Sequence, residues 1–179
     1  MLSDDALSAI DREAKRFPES RSALLPALHI AQDEVGRLTP QAIEDVADAL
    51  GLASSDVEEV VSFYSMFYAG RIGTYVLEVC KTVPCAILGA DEIIDYIAEK
   101  LGIAPGETTS DELFTLLRVE CLAGCHRAPV MQVNARYYEN LTPEKIDGLL
   151  EMMRSEARMR QGKNREAPLR AIPEQSGFA

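Results

Sequence analysis

The residues with the most chemistry to offer are four cysteines, all in the part of a 179-residue chain that follows the glycines at 70 and 73. They stand as Cys80-x4-Cys85 and Cys121-x3-Cys125. Four thiolates delivered to one small volume make a soft-metal site. A [2Fe–2S] centre needs two thiolates per iron over a wider span than a single ion, and pairs with these spacings can each reach around one iron. Structural zinc also accepts Cys-x2–4-Cys knuckles, so spacing alone leaves zinc open. Three details favour the cluster. A helix following Cys85 would turn its positive N-terminal end toward an anionic centre. The loops KTVPC and LAGCHRAP are small, apolar and rich in backbone N–H groups able to hydrogen-bond sulfur. Lys81 and Arg127 adjoin the cysteines and can offset the charge gained on reduction, although ordinary surface charge explains them equally well.

Other thiol chemistries fit less well. Disulfides do not suit a reducing compartment. A dithiol redox enzyme of the thioredoxin kind wants Cys-x2-Cys, which is absent. The stretch from Cys121 to His126 has one residue too many for haem attachment. A Rieske centre needs two histidines, whereas only His126 is near and His29 lies in the other half. His126 therefore reads as a solvent-facing neighbour. No phosphate-binding Gly-rich loop and no Gly-x-Ser-x-Gly occurs, so nothing supports nucleotide or flavin binding by this chain alone.

The elements that must position the sulfurs follow from punctuation and periodicity. Tyr75 to Val79 is a β-rich apolar run ending at Cys80, and residues 113–120 form a second run ending at Cys121. A helix from Cys85 to Leu101, with Ile93, Ile94, Ile97 and Leu101 inward, makes the crossover. If the two strands run parallel, both cysteine pairs leave the same sheet edge, where open sheets place their ligand sites. A hairpin follows, Val130 to Val133 and Tyr137 to Glu139 around Asn134-Ala135. A last helix is capped by Thr142, with Pro143 at its first position.

Upstream, four helices are expected. One spans Asp4 to Phe17, and one spans about Ser22 to Val35, with Pro26 tolerable only in its first turn. The third runs from Thr39-Pro40 to Gly51. The fourth opens on a Ser55-Asp56-Val57-Glu58 capping box and leads into the aromatic run Phe63 to Tyr68. The expected organisation is a helical bundle over 1–72, a cluster-bearing sheet domain over 73–158 and an extended tail over 159–179. The fold class is α+β.

Composition sets the outer limits. Hydrophobic residues make up 47% and charged residues 26%, as in ordinary globular proteins. The net charge of −11 repels phosphate backbones, which argues against nucleic-acid binding. No run of about 18 apolar residues suggests membrane insertion, and the acidic start lacks the pattern of a signal peptide. The cytoplasm is the default expectation.

With these residues assembled, the stretches SFYSMFY, VCKTVPC and VECLAGCHRAPVMQVN resemble the thioredoxin-like [2Fe–2S] subunit of the NADH dehydrogenase module of respiratory complex I, the NADH:quinone oxidoreductase. Related subunits occur in NAD-linked hydrogenases and formate dehydrogenases. The resemblance covers residues from about 5 to 155. It rests on both cysteine pairs together, with a Gly before the last cysteine and Ala-Pro soon after it. It implies a thioredoxin-like open sheet holding one [2Fe–2S] cluster on Cys80, Cys85, Cys121 and Cys125, the first two on one iron and the last two on the other. It further implies that the N-terminal bundle docks on a partner subunit carrying FMN, NADH and a [4Fe–4S] cluster. Phe63 to Tyr68 are candidates for that docking surface or for the joint between the units. Further subunits of the enzyme would be partners too, and attachment to the cytoplasmic face of the inner membrane would be peripheral, through them. The implied activity is one-electron exchange with the partner's flavin; alone, the chain would not turn over NADH. Two readings of other classes stay open, a structural zinc-binding adaptor and a thiol-redox enzyme.

Overall fold

The computed structural model describes residues 1–134 and 136–161. It is α+β and divides into two units, Met1–Arg71 and one beginning at Ile72.

The first unit holds α1 (Asp4–Ala14), a 3-10 turn (Ser20–Ala23), α2 (Leu24–Val35), α3 (Pro40–Leu50) and α4 (Ser54–Phe63). Helix α3 shows how local chemistry sets the limits. The Thr39 side chain accepts the Ala42 N–H, Pro40 occupies the first position, and Gly51 ends the helix at φ 66°. Its Ile43, Val46, Ala47 and Leu50 join Ile10, Leu24, Leu28 and Val57 in one buried core. Helix α2 starts at Leu24, two residues later than periodicity suggests, which keeps Pro26 within its first turn. The Ser55 capping box is not used. The first residue of α4 is Ser54, and the position before it, Ala53, makes no side-chain cap bond. The aromatic run divides: Phe67 is buried against the His29 ring, with centroids 5.0 Å apart, while Phe63 is 78% exposed.

The second unit is a four-stranded sheet of order β2-β1-β3-β4, from β1 (Tyr75–Cys80), β2 (Phe114–Val119), β3 (Met131–Val133) and β4 (Arg136–Tyr138). Strands β1 and β2 are parallel, in register from Tyr75↔Phe114 to Cys80↔Val119. The hairpin β3–β4 adds antiparallel to the other side of β1, with Val79 opposite Met131. The parallel pair requires a long crossover. It is supplied by α5 (Val83–Ile87) and α6 (Ala90–Leu101), two helices where the pattern suggests one. The break falls at Leu88-Gly89, with Gly89 at φ 90°. Cys85 consequently lies inside the short α5, and the longer helix that follows it, α6, starts at Ala90, which is buried in one cluster with Cys80 and Cys85. Helix α7 (Pro143–Gln161) closes the unit. The expected tail over 159–179 lies outside the described residues from 162 onward; Met159 to Gln161 complete α7.

Period-two alternation sorts β1 between two environments. Tyr75, Leu77 and Val79 pack with Ile93, Ile94 and Ile97 of α6 and with Ile146, Leu150 and Met153 of α7. Cys80, next in the alternation, joins Cys85, Ala90 and Val130 in a separate small cluster. Among the described residues, no helix is long and apolar enough to cross a membrane.

Candidate metal centre

Both cysteine pairs begin where a strand of the parallel pair ends. Cys80 is the last residue of β1, and Cys121 follows β2 by two residues. The Lys81 N–H donates to the Val119 carbonyl at 2.9 Å, so the ladder holds the two exits side by side until the chains diverge. All four cysteines are free of disulfides. Cys80 and Cys85 are 2% and 1% exposed, whereas Cys121 and Cys125 are on the surface. One pair is thus set in protein, and the other faces solvent.

Within the exposed pair the sulfurs are 3.8 Å apart. Two thiolates held about 2.3 Å from one tetrahedral metal are separated by about that distance. Within the buried pair, Cys80 and Cys85 share a hydrogen bond. The pairs also sense one another, because charge on Cys125 acts on Cys85 and charge on Cys80 acts on Cys125. Among the described residues, no three His, Cys, Asp or Glu side chains gather tightly enough to chelate a single ion. Two linked pairs suit a two-metal centre better than one tetrahedral ion.

The titration of the thiols follows from their surroundings. Burial pushes Cys85 up to about 11, helped by the hydrogen bond with Cys80 and opposed by the Val130 N–H. Burial also pushes Cys80 up, but the Thr82 hydroxyl and the N–H groups of Thr82 and Leu122 outweigh it and leave that thiol below its ordinary value. The Thr82 oxygen is 3.2 Å from the Cys80 sulfur. Cys125 is raised, first by its contact with Cys121. The Ala123 N–H donates to the Cys121 sulfur at 3.3 Å. Among these shifted thiols only Cys80 has donors that outweigh burial and favour the negative charge that thiolate ligation demands.

The flanking cations have partners. Lys81 pairs with Glu120 at 2.9 Å and Arg127 with Glu139 at 3.1 Å. Their charge is already balanced locally, so they are weak candidates for offsetting charge at the centre. His126 lies in the 3-10 turn Cys125–Arg127, exposed, and lines a shallow groove of about 430 Å³ with Leu122, Arg127 and Tyr137. Gly124 has a steric reason to be glycine: a Cβ there would sit 3.0 Å from a Val130 methyl.

Several contributors carry no mark in the sequence. The donor amides of Leu122, Ala123 and Val130 are backbone, and Tyr137, whose hydroxyl donates to the Leu122 carbonyl at 3.0 Å, comes from β4. Small residues in LAGC signal only that the chain turns tightly there.

Comparison with known proteins supplies what geometry does not. Residues 10–154 match the profile of the thioredoxin-like [2Fe–2S] ferredoxin family. An NADH-quinone oxidoreductase subunit of Mycobacterium tuberculosis is 41% identical over 173 residues, covering 94% of this chain and 66% of its own. The chain thus spans just under two thirds of that relative's length. The corresponding NADH-quinone oxidoreductase subunit of Rhizobium meliloti is 43% identical over 84% of this chain and 89% of its own, and that of Thermus thermophilus is 40% identical over 87% and 88%. Among solved structures, an air-oxidised NAD+-reducing [NiFe]-hydrogenase aligns with a TM-score of 0.68 at 25% identity, over 84% of this chain and 25% of the hydrogenase chain.

Proposed function

The chain belongs to the thioredoxin-like [2Fe–2S] ferredoxin family, and from that premise we propose that it is the electron-transfer subunit of an NADH:quinone oxidoreductase, exchanging single electrons with FMN on a partner subunit. Cys80, Cys85, Cys121 and Cys125 hold one [2Fe–2S] cluster in this reading, Cys80 and Cys85 on one iron and Cys121 and Cys125 on the other. The observation that carries it is the pairwise grouping of sulfurs beyond two parallel strand ends, with 3.8 Å between Cys121 and Cys125. The bound cluster supplies reversible one-electron chemistry, and the protein supplies position, potential and solvent access. Here the buried pair excludes water from one side, while amide and hydroxyl donors to three of the sulfurs favour the more negative reduced state. A flavin- and NADH-binding subunit is the proposed partner, with further subunits of the enzyme attaching the chain peripherally at the cytoplasmic face of the inner membrane. In this reading 1–72 is the docking bundle and 73–158 the cluster domain, with Met159 to Gln161 of the expected 159–179 tail belonging to α7.

A second reading is favoured by the hydrogenase likeness: the equivalent diaphorase subunit of an NAD-linked hydrogenase or formate dehydrogenase. Purification of the native complex and identification of its other subunits separates the two.

The cofactor is tested by anaerobic reconstitution of the whole chain with iron and sulfide. Two irons and two sulfides per chain are expected, with visible absorbance and a one-electron paramagnetic signal after reduction, and each Cys→Ser variant should lose most of the cluster. A colourless protein that retains one zinc per chain refutes the assignment and supports the adaptor reading. With the co-purified flavin subunit present, NADH should reduce the cluster; failure there refutes the electron-transfer role.

A further inference from the structure

The peptide group between Leu122 and Ala123 is held at both ends. Its N–H, belonging to Ala123, donates to the Cys121 sulfur at 3.3 Å, and its carbonyl, belonging to Leu122, accepts the Tyr137 hydroxyl at 3.0 Å. Ala123 sits at φ 61°, a left-handed conformation that a residue with a Cβ adopts at a cost. That torsion helps set the plane of this peptide, so something outside the loop must keep it there. Tyr137 is well placed to do so. It lies on β4, opposite Gln132 of β3, and therefore moves with the sheet rather than with the loop. The Arg127–Glu139 ion pair and the bond from the Asn140 N–H to the Arg127 carbonyl, at 2.7 Å, tie the same loop to the same hairpin. Of these three ties, the Tyr137 bond is the one that ends on a peptide bonding an exposed cysteine; the Leu141 N–H, on the Pro129 carbonyl at 3.2 Å, does the like for the peptide whose Val130 N–H serves the buried Cys85.

We propose that Tyr137 is a positioning residue for the centre, its hydroxyl orienting and polarising the Leu122–Ala123 peptide so that the Ala123 N–H stabilises negative charge on the Cys121 sulfur. This rests on the cluster reading above. A donor bonded to a carbonyl oxygen strengthens the hydrogen bond made by the N–H of the same peptide, because the group polarises as a unit. Hydrogen bonds to cluster sulfurs favour the reduced state and raise the potential. The neighbouring Leu122 N–H, directed at Cys80, belongs to the preceding peptide, so both cysteine pairs receive an amide from one short stretch of loop.

The test is the reduction potential of the reconstituted whole chain, read by paramagnetic resonance in a poised titration, for wild type, Tyr137→Phe and a control, Tyr96→Phe. The control removes a surface hydroxyl that bonds Asp147 at 2.8 Å and is remote in sequence from either cysteine loop. Tyr137→Phe should lower the equilibrium constant for reduction about three- to tenfold, a shift of about 30–60 mV to more negative potential at 59 mV per decade for one electron. Tyr96→Phe should not move it. Resonance reads only molecules that carry the cluster, so partial loading of a variant does not obscure the value. An unchanged potential in Tyr137→Phe, with or without a lower melting temperature, overturns the proposal and leaves Tyr137 a merely structural tie. A wild-type chain that takes up no cluster refutes instead the cofactor reading on which the proposal stands.

Discussion

Gly124 precedes Cys125 and leaves no room for a side chain beside Val130. Its backbone lies at φ −94° and ψ 29°, which alanine tolerates, so Gly124→Ala introduces a purely steric problem. The new Cβ would meet the two methyls of Val130 at 3.0 and 3.2 Å. Val130 has little room to yield. It is 0% exposed, β-branched and thus stiff at χ1, and its carbonyl accepts the Cys80 N–H at 3.1 Å while its own N–H serves Cys85. Overpacking of this kind costs about 1–3 kcal/mol. Against that, alanine stiffens the unfolded chain, returning about 0.4–1 kcal/mol. A net loss of about 1–2 kcal/mol is expected, or roughly 5–15 °C in melting temperature for a unit of this size. Because movement of Val130 disturbs Cys80, Cys85 and Cys125 together, cluster occupancy should fall with stability. The assay is a double-mutant cycle by urea unfolding of the metal-free whole chain, with Val130→Ala as second site. Removing the methyls should relieve the clash, so Gly124→Ala should be neutral or stabilising in that background, with a coupling of about 1–3 kcal/mol. Equal cost in both backgrounds would refute the reasoning.

Two further predictions address side chains that hold backbone groups, one in each unit. Gln32 is 1% exposed and spans two backbone groups, donating to the Met66 carbonyl at 2.9 Å and accepting the Tyr68 N–H at 2.7 Å. Gln32→Leu removes this partner from both and should destabilise the chain by about 1–3 kcal/mol, read as a lower urea midpoint; an unchanged midpoint would show that the bridge contributes nothing. Asp111 accepts from the Thr109 hydroxyl and from the Leu113 N–H just ahead of β2, which holds its carboxyl below the usual value of 3.8. A depressed carboxylate stabilises the fold above its unfolded value and loses that contribution as pH falls through the folded one. Metal-free wild type should therefore exceed Asp111→Asn in stability at pH 7, with the gap closing below about pH 4; parallel pH profiles would contradict this.

The parts of this architecture legible in sequence are those in which one residue acts on its neighbours. Thr39, Pro40 and Gly51 delimit α3 through contacts within a few residues. The β-rich run at 75–79 declares a strand because its alternation feeds two faces at once. Where a choice depends on distant packing, local signals mislead. The Ser55 motif is a sound cap that α4 does not use, and the pattern IIDYIAEKL continues upstream as though no break existed at Leu88-Gly89. Ala90 is fully buried beside Cys80, Cys85 and Val130, and starting α6 there carries the chain past the sulfurs, a constraint set by residues far along the sequence. Phe63 and Phe67 lie four residues apart, yet only Phe67 meets His29.

The site divides along the same line. Parallel pairing of β1 and β2 makes Cys80 and Cys121 leave one edge together, so the strand runs, once read, nearly require the sulfurs to meet. The character of the meeting place is set by different means. One pair is sunk among Ala90 and Val130 and the other left open, and the donors to Cys80, Cys85 and Cys121 are chiefly backbone N–H groups. A backbone amide is present at every non-proline position, so its identity carries no information and only its direction matters. Direction is decided by φ 61° at Ala123 and by a hydroxyl on a strand 15 residues away. Ligand identity is therefore written in residue types, while the electrostatics that tune the ligands are written in torsions that the tertiary fold imposes.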